Sequence, residues 1–148
     1  MSKKVVCVWE VVWDIFPDKK TLWWAPLNVA YHLSSFLDDV KFISKVWSDE
    51  LWEETIKQIW SLWLNTDHIQ IHPEKETWKV KIDIKWNTHS FEIAEESAWD
   101  HLDEIEIEDD FVLVYWTLFQ RNKKSKKALE KLIKKARKRF YDVNLRWK

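Results

Sequence analysis

Apolar and polar positions follow two different periods along this chain. Lys4–Trp9 (Lys-Val-Val-Cys-Val-Trp) is a continuous apolar run, the mark of a strand buried on both faces of a sheet. Val11–Phe16 predicts a second short strand before a Pro17-Asp18 turn. Pro26–Leu37 has helical spacing, with Leu27, Ala30, Tyr31 and Leu33 on one side and Pro26 suited to a first turn. Val40–Val46 alternates as a strand; Ser48 or Asp49 then caps a helix through Leu62, with Leu51, Ile56 and Ile59 inward. Asp67–Ile71 predicts another strand. The period changes at Thr77–Lys85, where Val80, Ile82 and Ile84 alternate with Lys79, Lys81, Asp83 and Lys85, and Thr88–Ile93 answers it. That is a half-exposed hairpin. Phe111–Tyr115 returns to the fully apolar type. Ser125–Arg139 predicts an amphipathic helix with Leu129, Leu132, Ile133 and Ala136 inward, followed by a strand over Phe140–Val143. Buried strands alternating with helices imply one α/β domain on a mostly parallel sheet, carrying a small antiparallel β lid.

Composition narrows the class. The 148 residues, 46% hydrophobic and 33% charged, suffice for a buried core and do not describe a disordered chain. No apolar run approaches the ~20 residues of a membrane span, and the N-terminal run is too short for a signal peptide. A formal charge of −1 argues against a polyanion binder on net charge alone. Cys7 is the only cysteine, so no internal disulfide forms, and a cytoplasmic location is expected. Lys123 to Arg139 holds ten basic residues and one acid, Glu130; the apolar stripe within it predicts a docked helix with a solvated outer face rather than a nucleic-acid surface. Ten carboxylates between Glu92 and Asp110 balance that charge without the spacing of a calcium loop. His68 and His72 lie on a strand running into Pro73, too far apart for a metal pair, and no metal site is expected.

One pair of numbers stands out: 13 Trp and no Gly. Ordinary usage of ~7% would give about ten glycines. Trp63 follows a predicted helix where a C-cap glycine belongs, Trp86-Asn87 sits where a hairpin turn wants positive φ, and Trp23-Trp24 precedes the Ala25-Pro26 start of a helix. An L-residue in the left-handed region costs ~1–2 kcal/mol. Glycine at these places makes the local chemistry consistent, so many of the tryptophans are expected to occupy glycine positions of a parent sequence.

Six segments in register carry a resemblance. They are Val8-Trp9-Glu10-Val11-Val12-Trp13-Asp14, Leu22-Trp23-Trp24-Ala25-Pro26-Leu27-Asn28-Val29-Ala30, Ser44-Lys45-Val46-Trp47-Ser48-Asp49-Glu50-Leu51-Trp52, Thr77-Trp78-Lys79-Val80, Val114-Tyr115-Trp116-Thr117-Leu118-Phe119-Gln120-Arg121 and Asp142-Val143-Asn144-Leu145-Arg146. Together they resemble the N-terminal half of the ribokinase-like (PfkB-type) carbohydrate kinases, nearest the fructokinase branch. The family pattern has Gly where this chain has Trp9, Trp23, Trp24, Trp47, Trp52, Trp63, Trp78 and Trp116; Trp13 and Trp99 match tryptophans of the family, and Trp60 and Trp147 are unassigned.

The resemblance implies a ribokinase-like, Rossmann-type α/β half-domain over residues 1–148, with the lid from about 11–22 and 77–93. It implies a parent that phosphorylates a sugar hydroxyl with ATP and Mg. Asp14 then matches a carboxylate accepting hydrogen bonds from sugar hydroxyls, which charge strengthens. Trp23 and Trp24 match a glycine pair whose bare backbone lets the sugar approach, and Asn28 matches an amide that binds hydroxyls at the start of the next helix. Lys45 matches a basic or polar position beside the pocket, and Arg146 an arginine beside the substrate or transferred phosphate. By themselves Asp14 reads as a turn carboxylate, Asn28 as a helix cap, and Lys45 and Arg146 as solvated charges. The family is about twice as long, and its nucleotide site, anion hole and general base have no counterpart here. This chain alone is therefore expected to hold no catalytic residue, to bind neither ATP nor Mg, and to show no turnover. The expected partners are a small-molecule sugar and a second copy pairing through the lid, with no nucleic acid and no membrane. A non-catalytic sugar-binding or assembly module is the alternative; a Trp-rich lectin or single-strand nucleic-acid binder is a more distant one.

Overall fold

The structure, a computed structural model, describes residues 4–22, 25–85, 88–93, 96–108 and 110–143. Five parallel strands form the main sheet: β1 (Lys4–Val8), β4 (Val40–Trp47), β5 (Ile69–His72), β8 (Phe111–Trp116) and β9 (Lys138–Asp142). Their order is β5-β4-β1-β8-β9, so β1 is hydrogen-bonded on both sides, to β4 and to β8. Its continuous Val-Val-Cys-Val run answers to that place: alternate side chains enter two different apolar layers. Val5 and Cys7 pack with Leu27 and Ala30 of α1 (Ala25–Ser34) and Leu51 and Ile59 of α2 (Glu50–Ser61). Val6 and Val8 pack with Leu129 and Leu132 of α3 (Lys123–Lys135) on the opposite face. Cys7 lies fully inside, and burial pushes its thiol up to about 12, so it serves as a small core residue.

A second sheet, of order β3-β2-β6-β7, is built from β2 (Val12–Ile15), β3 (Lys20–Leu22), β6 (Trp78–Lys85) and β7 (Thr88–Ile93). The expected lid strands are present, but the sheet is mixed rather than antiparallel. β2 pairs antiparallel with β3 and parallel with β6. The chain between β2 and β6 contains α1, β4, α2 and β5, and a crossover of that length permits a parallel pair that no hairpin could make. An aromatic stack ties the two sheets together. Trp78 at the base of β6 lies 5.2 Å from Trp99, and the Arg121 guanidinium sits 4.4 Å from the Trp99 ring and 5.1 Å from that of Trp78. Arg121 also grips the buried Asp100 carboxylate with two bonds, Nε to Oδ1 at 2.8 Å and Nη2 to Oδ2 at 2.5 Å. Trp78, matched above to a family glycine, is thus an integral part of this core.

α3 ends at Lys135, so Arg137 to Arg139 lie beyond it and β9 begins at Lys138. Its outer face is not simply solvated. The acidic segment 103–108 pairs with it: Lys124 with Asp103 at 2.6 Å, Lys131 with Glu104, and Lys135 with Glu106 at 2.5 Å. Each of these pairs is exposed and adds little stability by itself. Their effect is to place opposite charge along the most basic stretch of the chain.

Backbone torsion bears directly on the glycine question. Trp63 has φ 59°, in the left-handed region, and its indole is 90% exposed. It follows the C-cap Leu62 of α2, where the Trp63 N–H reaches the Trp60 carbonyl at 2.9 Å and the Leu64 N–H reaches the Ile59 carbonyl at 3.3 Å. These two bonds are the Schellman closure, and buried Leu64 and Ile59 share one apolar cluster, as that closure favours. Trp47 and Trp52 differ: one lies in β4 and the other in α2, where regular backbone asks for no glycine. Trp23, Trp24 and Trp86 lie outside the described residues. We predict that Trp63→Gly stabilises the fold by about 1 kcal/mol, the left-handed cost of ~1–2 less glycine's extra entropy of ~0.5–1. Urea unfolding checks this: the midpoint rises while the slope stays unchanged.

Candidate functional site

In open α/β sheets ligands bind beyond the carboxyl ends of the strands, where the strand order reverses. Here the chain leaves β1 for β4 and β5 on one side, then returns to β8 and β9 on the other, so the reversal lies between β1 and β8. Two tryptophans meet at that point. Trp9 directly follows β1, Trp116 ends β8, and their rings meet edge-on at 5.6 Å and 84°, both fully buried. Among the described residues the Trp9 indole N–H has no acceptor, and an unmet buried donor costs ~1–3 kcal/mol. In the resemblance both positions match glycines. Next to Trp9 sits Glu10, only 2% exposed. A carboxylate immediately after an all-apolar strand is itself a signal in the sequence.

The residues singled out from the sequence divide into three groups. Asp14 is half-buried on β2, in register with Thr21 of β3 and Val80 of β6, and Asn28 is half-buried in the first half of α1. The segment linking their elements contains Trp23 and Trp24, which lie outside the described residues, as does Arg146. Trp13, beside Asp14, is fixed by a bond from its Nε1 to Thr55 Oγ1 of α2 at 2.9 Å, which anchors β2 against the main domain.

Lys45 goes elsewhere. It is 4% exposed, and its ammonium donates to Asp103 on the face of the sheet that α3 covers, opposite α1. Asp103 is further held by Lys124, and its backbone exchanges two bonds with the Gln70 side chain, at 2.8 and 3.0 Å. Alternation along β4 decides this: Ile43 points into the α3 layer, and Lys45 follows it there. The structure thus makes Lys45 a strut between β4 and the acidic segment and does not bring it beside Asn28. His72, weighed above as a ligand, uses Nδ1 to accept the N–H groups of Glu74 and Lys75 at 3.1 and 2.9 Å, a local turn.

No protein-family model matches this sequence, and no curated protein does. Solved structures match it closely in shape. A fructokinase from Vibrio cholerae O395 in its apo form superposes with TM-score 0.86 at 20% identity, over 97% of this chain and 54% of that one. The fold is that of the N-terminal half of a sugar kinase. A fructokinase from Halothermothrix orenii (TM-score 0.81, 22% identity) matches over 94% of this chain and 56% of its own. An uncharacterized sugar kinase from Pyrococcus horikoshii, solved in complex with ATP, matches with TM-score 0.81 and 22% identity over 96% of this chain and 53% of its own. The chain therefore spans about half the length of the chains it resembles.

The residues present do not fit a nucleotide. No glycine is available to bring backbone N–H groups up to a phosphate, and two buried indoles stand together at the reversal between β1 and β8. The best-defined electrostatic feature of this half is instead structural. Hydrogen bonds from Lys124 and then Lys45 lower the Asp103 carboxyl from 3.8 to about 2. A depressed carboxyl stabilises the fold above its unfolded value and loses that contribution as pH falls through the folded one. Asp103→Asn should therefore be less stable than the parent above pH 3.8, with the gap closing as pH falls towards about 2. Thermal melts across that range check it.

Proposed function

We propose that this chain is the sugar-binding half of an ATP-dependent carbohydrate kinase of the fructokinase type, with tryptophan at positions where the working enzyme has glycine. What supports this reading is the fold likeness together with the order of elements. The strand order reverses at β1, the chain runs from there into β2 with Asp14, and Asn28 follows on α1. The matched solved structures supply the substrate class.

In this reading the Asp14 carboxylate accepts hydrogen bonds from two sugar hydroxyls, and the Asn28 amide donates to or accepts from a third. Trp23 and Trp24 stand where the resemblance has the glycine pair that lets the sugar approach. The second sheet closes over it and excludes water. Lys45 contributes through Asp103, as a support, and Arg146 is left to the substrate side. ATP and Mg would be held by the half that this chain does not span, which would also supply the group that deprotonates the hydroxyl. Indoles at Trp23 and Trp24 would occupy the sugar's place, so the chain as it stands should bind sugar weakly and turn nothing over.

A calorimetric titration tests this. The double substitution Trp23→Gly, Trp24→Gly should show saturable fructose binding that the parent lacks. Adding Asp14→Asn should weaken it about 10- to 100-fold, since a hydrogen bond to a charged group contributes ~1.5–3 kcal/mol. Equal heats with and without Asp14, or a response to single-stranded DNA alone, would contradict the sugar reading.

A further inference from the structure

The chain passes from the main sheet to the second sheet through residues 73–77, between His72 at the end of β5 and Trp78 at the start of β6. The first half of this connector hangs on one imidazole. His72 Nδ1 accepts the N–H groups of both Glu74 and Lys75, at 3.1 and 2.9 Å. The Trp47 indole N–H reaches the Pro73 carbonyl at 3.2 Å, and Lys75 reaches Glu96 at 2.6 Å. The second half is held by other groups: the Ala98 N–H donates to the Glu76 carbonyl at 2.9 Å, and the Thr77 hydroxyl bonds to Trp47 and Asp49. An imidazole nitrogen accepts a hydrogen bond only while it is unprotonated; the imidazolium ion donates from both nitrogens. Two N–H groups converge on Nδ1, so the proton of neutral His72 sits on Nε2. A second proton has only Nδ1 to go to, and both bonds are lost when it arrives.

The surroundings oppose that second proton. The His101 ring lies 4.9 Å from the His72 ring at 59°. Its Nε2 meets the Glu96 carboxylate at 2.7 Å, a bond that a charged imidazole keeps. Lys45 of β4 and Lys124 of α3 also act on His72, both tied to Asp103, while Glu74 on the connector is the opposing anion. Burial first, then Lys45, His101 and Lys124, hold the His72 imidazole below its ordinary value of 6.5. A histidine held low in this way supports the fold above that ordinary value and loses its contribution as pH falls through the folded one.

We propose that His72 is a proton-operated latch on the passage between the two sheets: neutral, it holds residues 74 and 75 in a closed turn, and protonated, it releases them. The proton comes from solvent to Nδ1, and the freed N–H groups of Glu74 and Lys75 turn to water. The opening is local, because Thr77 keeps its bonds and Trp78 its stack with Trp99 and Arg121. The latch stands on the geometry of the connector and not on the sugar reading.

Amide exchange and the His72 ring resonances of the isotopically labelled chain are followed together from about pH 8 to about pH 4. Protection of the Glu74 and Lys75 amides, corrected for the intrinsic pH dependence of exchange, should fall about fivefold or more as the His72 ring charges, since two hydrogen bonds are lost. Protection over β4 should hold through the same range. His72→Asn sets a carbonyl oxygen in place of Nδ1 and cannot charge, so its turn should stay closed at every pH in the series. Release of 74 and 75 in His72→Asn at the pH where the parent releases them overturns the proposal. Unchanged protection after the His72 ring has charged overturns it too, and so does a ring that stays neutral until the whole chain unfolds. If His72→Asn does not fold, the ring titration and amide protection of the parent chain decide between these outcomes by themselves.

Discussion

Everything in this molecule is organised around β1. Its side chains from Val6 to Val8 are fully enclosed, and its backbone is paired on both edges. A strand in that position has no solvent-facing side, so it must supply apolar groups to two layers at once. The layers it separates are different: α1 and α2 with their indole-rich cluster on one side, α3 with the aromatic and guanidinium stack on the other. Because the chain departs from β1 first one way and later the other, the same strand also fixes where a ligand crevice can form. Core and candidate site are consequences of one placement.

Two tryptophans stand together where the strand order of the main sheet reverses. Trp9 and Trp116 are both buried there, and the Trp9 indole N–H, without an acceptor among the described residues, marks a ring poorly matched to its surroundings. Trp63 makes the same point by a different route: its backbone adopts a left-handed torsion within a two-bond helix closure that is most often made by glycine. Trp47 and Trp52 make no such demand on the backbone, and Trp78 is well packed. Torsion and space are therefore separate criteria, and only some of the tryptophans meet either.

Much of the architecture was legible in the pattern of apolar positions, because buried strands and amphipathic helices leave strong periodic signals. The continuous runs at Val5–Val8 and Phe111–Tyr115, the Asp49 cap and the 3.6-residue stripe through Leu129 and Leu132 all lie within the elements observed. What escaped was short or depended on distant partners. β3, Lys20 to Leu22, is too brief to show a period, and the parallel pairing of β2 with β6 is decided by a crossover that local pattern does not encode. Lys45 by itself reads as a solvated charge, and only the resemblance sets it beside the pocket; the alternation of β4 buries it with Ile43 on the face that α3 covers, bonded to Asp103, a partner 58 positions away that local pattern does not reveal. Glu10 was hidden by the strength of the motif around it.

The most direct trial of the whole account is a map of where sugar touches the molecule. Amide spectra of the isotopically labelled chain, with glycine at 23, 24 and 63, would be recorded as fructose is added. The account requires the shifts to gather around Asp14, Asn28 and the end of β1. Shifts confined to the exposed Trp60 face of α2, or scattered without a centre, would contradict it.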